Sequence, residues 1–142
     1  AMLTQKARYA LHAAIYLARK EGAATVIEIA AAENIPRKFL EQIMLSMKER
    51  GILTSRRGPQ GGYQLARPAG LISFAEILRC IDGPLALAPC ASLTAPGVCA
   101  DCESMETCVI RPVLLAVRST TALLLEGMSL AEAAGKAKIS FS

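Results

Sequence analysis

The chain has 142 residues, 53% of them hydrophobic and 4% aromatic, with no tryptophan. This excludes a disordered chain and allows one domain, or one domain with a dimerising extension, built on an aliphatic, alanine-rich core that favours helices. Residues 1–79 hold twelve Lys/Arg against six Asp/Glu, a balance of +6, whereas residues 80–142 hold four against six, a balance of −2; the basic half points to a polyanionic partner.

Leu3, Ala7, Leu11, Ala14, Ile15 and Ala18 recur at helical spacing and predict a first helix over 3–20, ended by Gly22. Thr25 and Glu28 have the spacing of a capping box and open a short helix over Val26–Glu33. Asn34-Ile35-Pro36 interrupts it, and a longer helix over about Pro36–Arg50 follows, with Phe39, Leu40, Ile43, Met44 and Met47 on its buried side and Gly51 as its stop. A short helix, a tight turn and a longer helix form the helix-turn-helix pattern. Leu53, Ser55 and Arg57 alternate along one strand, and Tyr63 and Leu65 along the next. Gly58, Pro59, Gly61 and Gly62 supply the turn, so this is a β-hairpin with a basic, glycine-rich tip, placed where a wing would be.

Ser73 and Glu76 form a second capping box, opening a helix to about Asp82 that Gly83-Pro84 stops. A loop-like stretch over 84–108 precedes a long helix over about Val109–Glu126, with Pro112 in its first turn. Ile110, Leu114, Val117, Thr121, Leu124 and Met128 alternate spacings of four and three, the seam of a coiled-coil-like dimer helix. Ser129 and Glu132 cap a last short helix. The fold class is therefore mainly α with a small β-hairpin: a winged helix-turn-helix over 1–83, a cysteine-rich sensing loop over 84–108, and a dimerisation helix with a C-terminal segment over 109–142.

A recognition helix puts its first turns into the major groove, where Arg forks onto guanine and Gln pairs with adenine. The exposed polar residues there are Arg37, Lys38, Glu41 and Gln42. Arg56, Arg57 and Gln60 lie on the wing, with Gly61 and Gly62 allowing close backbone approach to a groove. Lys6, Arg8 and Tyr9 start the first helix and are placed to hold phosphate. The expected partner is double-stranded DNA. No phosphate loop, paired-carboxylate motif or nucleophile–base constellation points to an enzyme.

No apolar run is long enough to cross a bilayer. Tyr9–Ala18 is interrupted by His12 and followed by Arg19-Lys20-Glu21 rather than by a cleavage site. The chain reads as cytoplasmic, where thiols stay reduced, so its five cysteines suggest ligands or sensors rather than disulfides. Cys80 sits among Ile77, Leu78 and Ile81 and reads as a small buried hydrophobe. The other four, Cys90, Cys99, Cys102 and Cys108, have the spacing C-x8-C-x2-C-x5-C in one loop-like stretch. Thiolates suit zinc, copper(I) or iron–sulfur clusters. Structural zinc favours two closely spaced pairs and only Cys99 and Cys102 make one, which places zinc behind. A direct thiol switch, by disulfide or sulfenate, is the clusterless alternative.

The stretch from Leu3-Thr4 to Arg8-Tyr9-Ala10-Leu11, the run Ile35 to Ile43, the wing Arg57 to Pro68, Ile81-Asp82-Gly83-Pro84 and the Cys102-x5-Cys108 pair together resemble the Rrf-two family of winged-helix regulators. The resemblance covers essentially the whole chain. It implies a homodimer with crossed long helices that binds a partly palindromic operator. It also implies a 2Fe–2S or 4Fe–4S cluster held by three loop cysteines, here Cys90, Cys102 and Cys108, and a non-cysteine fourth ligand. Cys99 is additional to that pattern, as fourth ligand, redox partner or bystander. Relatives that draw a ligand from the first helix of the partner chain use an acid or histidine there. Arg8 occupies the acid's position and cannot ligate, whereas His12 has the chemistry to do so. Some members of the family lack a cluster and sense by thiol oxidation or through a protein partner.

Overall fold

The computed structural model describes residues 3–20, 22–59, 61–85 and 108–135. Helices α1 (Gln5–Lys20), α2 (Val26–Glu33) and α3 (Arg37–Glu49) are followed by strands β1 (Leu53–Arg56) and β2 (Gly62–Leu65). A 3-10 turn at Ala69–Leu71 leads to α4 (Phe74–Asp82), and after the cysteine-bearing stretch come α5 (Arg111–Glu126) and α6 (Leu130–Ala133).

Helix α1 is the centre of the core and packs on α2, α3, α4, α6 and β2. Its alanines explain how one helix meets so many neighbours: Ala7, Ala10, Ala13 and Ala14 are fully buried, and side chains this small let the surrounding elements approach closely. Leu17, Ile29, Leu40, Ile43, Met44, Met47, Ile52, Leu53, Ile72, Ile77 and Leu130 supply the volume. Leu130 joins α6 to this same core, and the backbones of Ile72 and Leu130 are linked at 2.9 Å.

The α2–α3 turn follows from local chemistry. Asn34 ends α2 in the left-handed conformation (φ 55°, ψ 50°), which asparagine tolerates better than most residues. The Ile35 amide closes back onto the Ala30 carbonyl at 3.0 Å. Pro36 stands just before α3 rather than inside it, so its missing N–H removes nothing from the helix.

Only one of the expected capping boxes is reciprocal. Thr25 and Ser73 each accept from the amide three residues on. However, the side chain of Glu28 turns instead to Tyr16 and Lys20, and that of Glu76 to Arg67, because these partners offer charge-assisted or phenolic bonds that a backbone amide does not. At Ser129 and Glu132 both halves form.

The hairpin pairs Leu53 with Leu65, Ser55 with Tyr63 and Arg56 with Gly62. The strand ends at Arg56, so Arg57 belongs to the tip rather than to the strand face expected for it: Gly58 has φ 105°, and the Gly61 amide bonds to its carbonyl at 2.9 Å. On its other side β2 joins the α1–α2 connection, with Ala24 and Tyr63 exchanging backbone bonds of 2.9 and 2.8 Å. Gly62 (φ 130°) sits in that junction, where a Cβ would lie 2.3 Å from the Ala24 carbonyl oxygen.

Helix α5 turns Ala122 and Leu125 toward the core. Ile110, Val117, Thr121 and Leu124 of the expected seam are exposed, and Leu114 and Met128 half-buried. Val109, Val113 and Leu123 are exposed beside them. Among the described residues no helix is long and apolar enough to cross a membrane.

Candidate nucleic-acid interface and cysteine site

The candidate recognition surface follows from the two-sidedness of α3. Leu40, Ile43, Met44 and Met47 are completely buried, which leaves Arg37, Lys38, Glu41 and Gln42 together on the exposed side. Arg37 Nε lies 3.2 Å from Glu41 Oε1, one turn on, so the guanidinium is oriented along the helix by its own neighbour. Phe39, expected on the buried side, is half-buried at the edge, because its ring meets Tyr9 of α1 edge-on with centroids 5.6 Å apart.

That contact gives Tyr9 a structural task. Its ring packs on Phe39 and its hydroxyl accepts a bond from Gln5 Nε2 at 2.7 Å, which fixes the start of α1 against the start of α3. Arg8 is exposed and Lys6 half-exposed on the same first turns. Arg56 and Arg57 are exposed at the hairpin tip, and Gln60 lies outside the described residues. Gly61 and Gly62 have internal reasons to be glycine: a Cβ at Gly61 would stand 2.5 Å from the Arg56 carbonyl oxygen, and at Gly62 the Ala24 carbonyl is closer still.

His12 is exposed on α1, with Nδ1 3.9 Å from Glu33 Oε2, and lines a small cleft with Gln5, Arg8, Tyr9 and Glu33. Cys90, Cys99 and Cys102 lie outside the described residues, as does most of the stretch between α4 and α5. Cys108 is half-buried, three residues before α5 begins. A cysteine sulfur is a soft donor, so its chemistry suits a soft metal or a redox-active centre. With the other three cysteines undescribed, no cluster of three or more metal-ligating side chains occurs among the described residues.

Cys80 is half-buried rather than fully buried: its Sγ reaches the Ser46 carbonyl at 3.5 Å, and burial pushes its thiol above the ordinary range. A second group escaped sequence reasoning. Glu28 accepts from Lys20 Nζ at 2.5 Å and from the Tyr16 hydroxyl at 2.6 Å, which lowers its carboxyl and raises the Tyr16 phenol. This triad clamps α2 onto α1. Its sequence signal is weak, because Tyr16 and Lys20 are one helical turn apart but Glu28 belongs to the next helix. The helix predicted over 3–20 starts at Gln5, because the Thr4 hydroxyl caps it by accepting from the Ala7 amide at 3.1 Å.

A recognition helix with a cationic outer face, a clamped first helix and a basic hairpin directly after it define a winged-helix DNA-binding protein. Residues 3–136 match the family Rrf2, described as an iron-dependent transcriptional regulator. The chain is 39% identical over 134 residues to an rrf2-like HTH-type transcriptional regulator of Rhodobacter capsulatus, covering 91% of this chain and 89% of that protein. Among solved structures it is similar to CymR, the global cysteine regulator of B. subtilis, with TM-score 0.76 and 26% identity over 97% of this chain and 99% of that one. It is also similar to the oxidized form of Staphylococcus aureus CymR, with TM-score 0.71 and 25% identity over 98% and 100% of the two chains. The chain belongs to the Rrf-two family and is a DNA-binding transcriptional regulator, not an enzyme.

Proposed function

We propose that this regulator works as a homodimer whose DNA affinity responds to the state of its loop cysteines, held as an iron–sulfur cluster by Cys90, Cys102 and Cys108. The observation that carries the reading is the junction at the start of α5. Cys108 stands three residues before a helix whose apolar side, Val113, Val117 and Leu124 with Ile110 at its N-cap, is exposed. A second copy of α5 would bury that side, so a ligand exchange at Cys108 acts at the root of the dimer contact. The described sulfur fits a cluster by softness and placement, and the family's description as iron-dependent agrees with it. Bound there, a cluster would supply a redox- and ligand-sensitive centre. Cys99 and His12 are the two candidates for a fourth ligand.

Within the dimer, residues 1–83 read DNA, 84–108 sense, and 109–142 hold the two copies together. Arg37, Lys38 and Gln42 contact base edges. Arg56, Arg57 and Gln60 reach from the wing, and Lys6 and Arg8 hold phosphate, with Tyr9 fixing their helix. The regulator acts on double-stranded operators in the cytoplasm.

A second reading keeps the DNA surface and replaces the cluster by reversible thiol oxidation. The likeness to CymR, a cysteine regulator with a solved oxidized form, favours it. Zinc is the third option. The deciding experiment is anaerobic purification followed by visible spectroscopy with iron, sulfide and zinc analysis, alongside Cys108→Ala. Broad visible absorption with stoichiometric iron and sulfide, lost in the variant, supports the cluster. A colourless, iron-free protein overturns it in favour of thiol oxidation, or of zinc if zinc is found.

A further inference from the structure

The final turn of α4 is tied to three other helices through three of its last four residues. Asp82 Oδ1 accepts from the Thr4 hydroxyl at 2.6 Å. The same Thr4 oxygen caps α1, the helix whose first turns carry Lys6, Arg8 and Tyr9. Cys80 Sγ donates to the Ser46 carbonyl in α3 at 3.5 Å, and the Ser46 hydroxyl in turn donates to the carbonyl of Gln42, a residue of the exposed recognition surface. Burial holds the Cys80 thiol protonated, as a donor must be. Arg79 donates to Glu126 of α5 at 2.5 Å.

These ties lie in the last turn of a helix that is otherwise buried through Ala75, Ile77 and Leu78 and held at its first turn by Glu76 to Arg67. That end is where the chain leaves, at Gly83 (φ 81°), for the cysteine-bearing stretch. The stretch returns at Cys108 to the start of α5, whose far end Arg79 already holds. A load applied to Gly83 therefore meets, within one turn, the cap of the phosphate-holding helix, the backbone of the recognition helix and the dimer helix.

We infer that the last turn of α4 is the junction that transmits the state of the loop cysteines to the DNA-reading elements, with Asp82 and Thr4 as positioning residues. This rests on the sensing function proposed above. Packing alone would make the Thr4–Asp82 bond a small contribution to stability, equal in every state of the cysteines. A junction makes it a determinant of the difference between states.

The test compares operator affinity of iron- and sulfide-reconstituted protein with that of chelator-stripped protein, for wild type, Thr4→Val, Thr4→Ser and Asp82→Ala. The DNA is a duplex selected from a random pool by the wild-type protein. Iron, sulfide and melting temperature are recorded for each. Coupled sites change each other's affinity by about 5–150-fold. With cluster content unchanged, Thr4→Val and Asp82→Ala are expected to cut the wild-type ratio by about two- to tenfold, the equivalent of one hydrogen bond. Thr4→Ser, which keeps the hydroxyl, should restore it. Hydrogen exchange at α1 amides should differ between the two states in wild type and not in Asp82→Ala. Variants that keep the full wild-type ratio overturn the junction while leaving sensing intact. A wild-type ratio of one removes the sensing reading, and the junction with it.

Discussion

Gly62→Ala separates two explanations of the glycine-rich wing: that glycine admits DNA, or that the fold itself has no room for a side chain. Gly62 has φ 130°, a region of about 1–3 kcal/mol cost for other residues. Its Cβ would sit 2.3 Å from the Ala24 carbonyl oxygen and 2.5 Å from the carbonyl carbon. Backbone cannot swing aside as a flexible side chain does, so β2 must lift away from residue 24. That sacrifices the two Ala24–Tyr63 backbone bonds, each contributing about 0.5–1.5 kcal/mol. The combined loss is about 2–6 kcal/mol, a large share of the roughly 5–15 kcal/mol that holds an ordinary domain together. At about 3–4 °C per kcal/mol for a chain of this size, Tm falls by about 6–24 °C. Gly58→Ala is the internal control: φ is 105° but nothing stands within 4 Å of the new Cβ, so only the dihedral cost applies. Thermal and urea unfolding by circular dichroism read both. A Gly62→Ala protein that melts with wild type yet loses operator affinity would refute the reasoning and return this glycine to the DNA.

Replacing Arg56 and Arg57 together by Ala should flatten the dependence of log affinity on log salt by about 0.9 for each phosphate no longer neutralised, with the oligomeric state unchanged in sedimentation; an unaltered slope removes the wing from the interface. Val117→Glu with Leu124→Glu places charge on the exposed apolar side of α5 and should yield a folded monomer with greatly weakened operator binding, measured by sedimentation and by fluorescence anisotropy. A dimer as tight as wild type would move the subunit interface elsewhere. Glu28 has a lowered carboxyl, first through its bond from Lys20 and then through that from Tyr16, so its stabilising effect is present above the ordinary glutamate range and is lost as pH falls through its lowered value. Glu28→Gln should therefore lower stability at neutral pH and make the acid limb of a stability–pH curve shallower, whereas parallel curves for the two proteins would argue against the clamp.

The helices and the wing were legible because their determinants are local. Period, caps and the glycine cluster fixed α2, α3 and the hairpin to within a residue or two. What escaped depends on partners distant in sequence. Glu28 has the spacing of a capping-box acid, but Tyr16 and Lys20 compete for it across a helix boundary. Phe39 follows the apolar face by period, yet Tyr9 draws it to the rim. Gly61 and Gly62 look like openings for DNA until the carbonyls of Arg56 and Ala24 are placed beside them. The cationic surface of α3 was readable because one face of that helix is fully apolar. By contrast, the ligand set among Cys90, Cys99, Cys102 and Cys108 is a matter of loop geometry, which spacing alone does not dictate.

The central claim, that loop cysteines govern DNA affinity, is tested most directly by anisotropy titration of a selected operator duplex at fixed salt. The titration compares anaerobically reconstituted wild type, chelator-stripped wild type and Cys108→Ala. The account predicts two distinct affinities for the wild-type states, with Cys108→Ala fixed at the stripped value whether or not iron and sulfide are supplied. One common affinity for all three would contradict it, leaving a winged-helix regulator that takes its signal elsewhere.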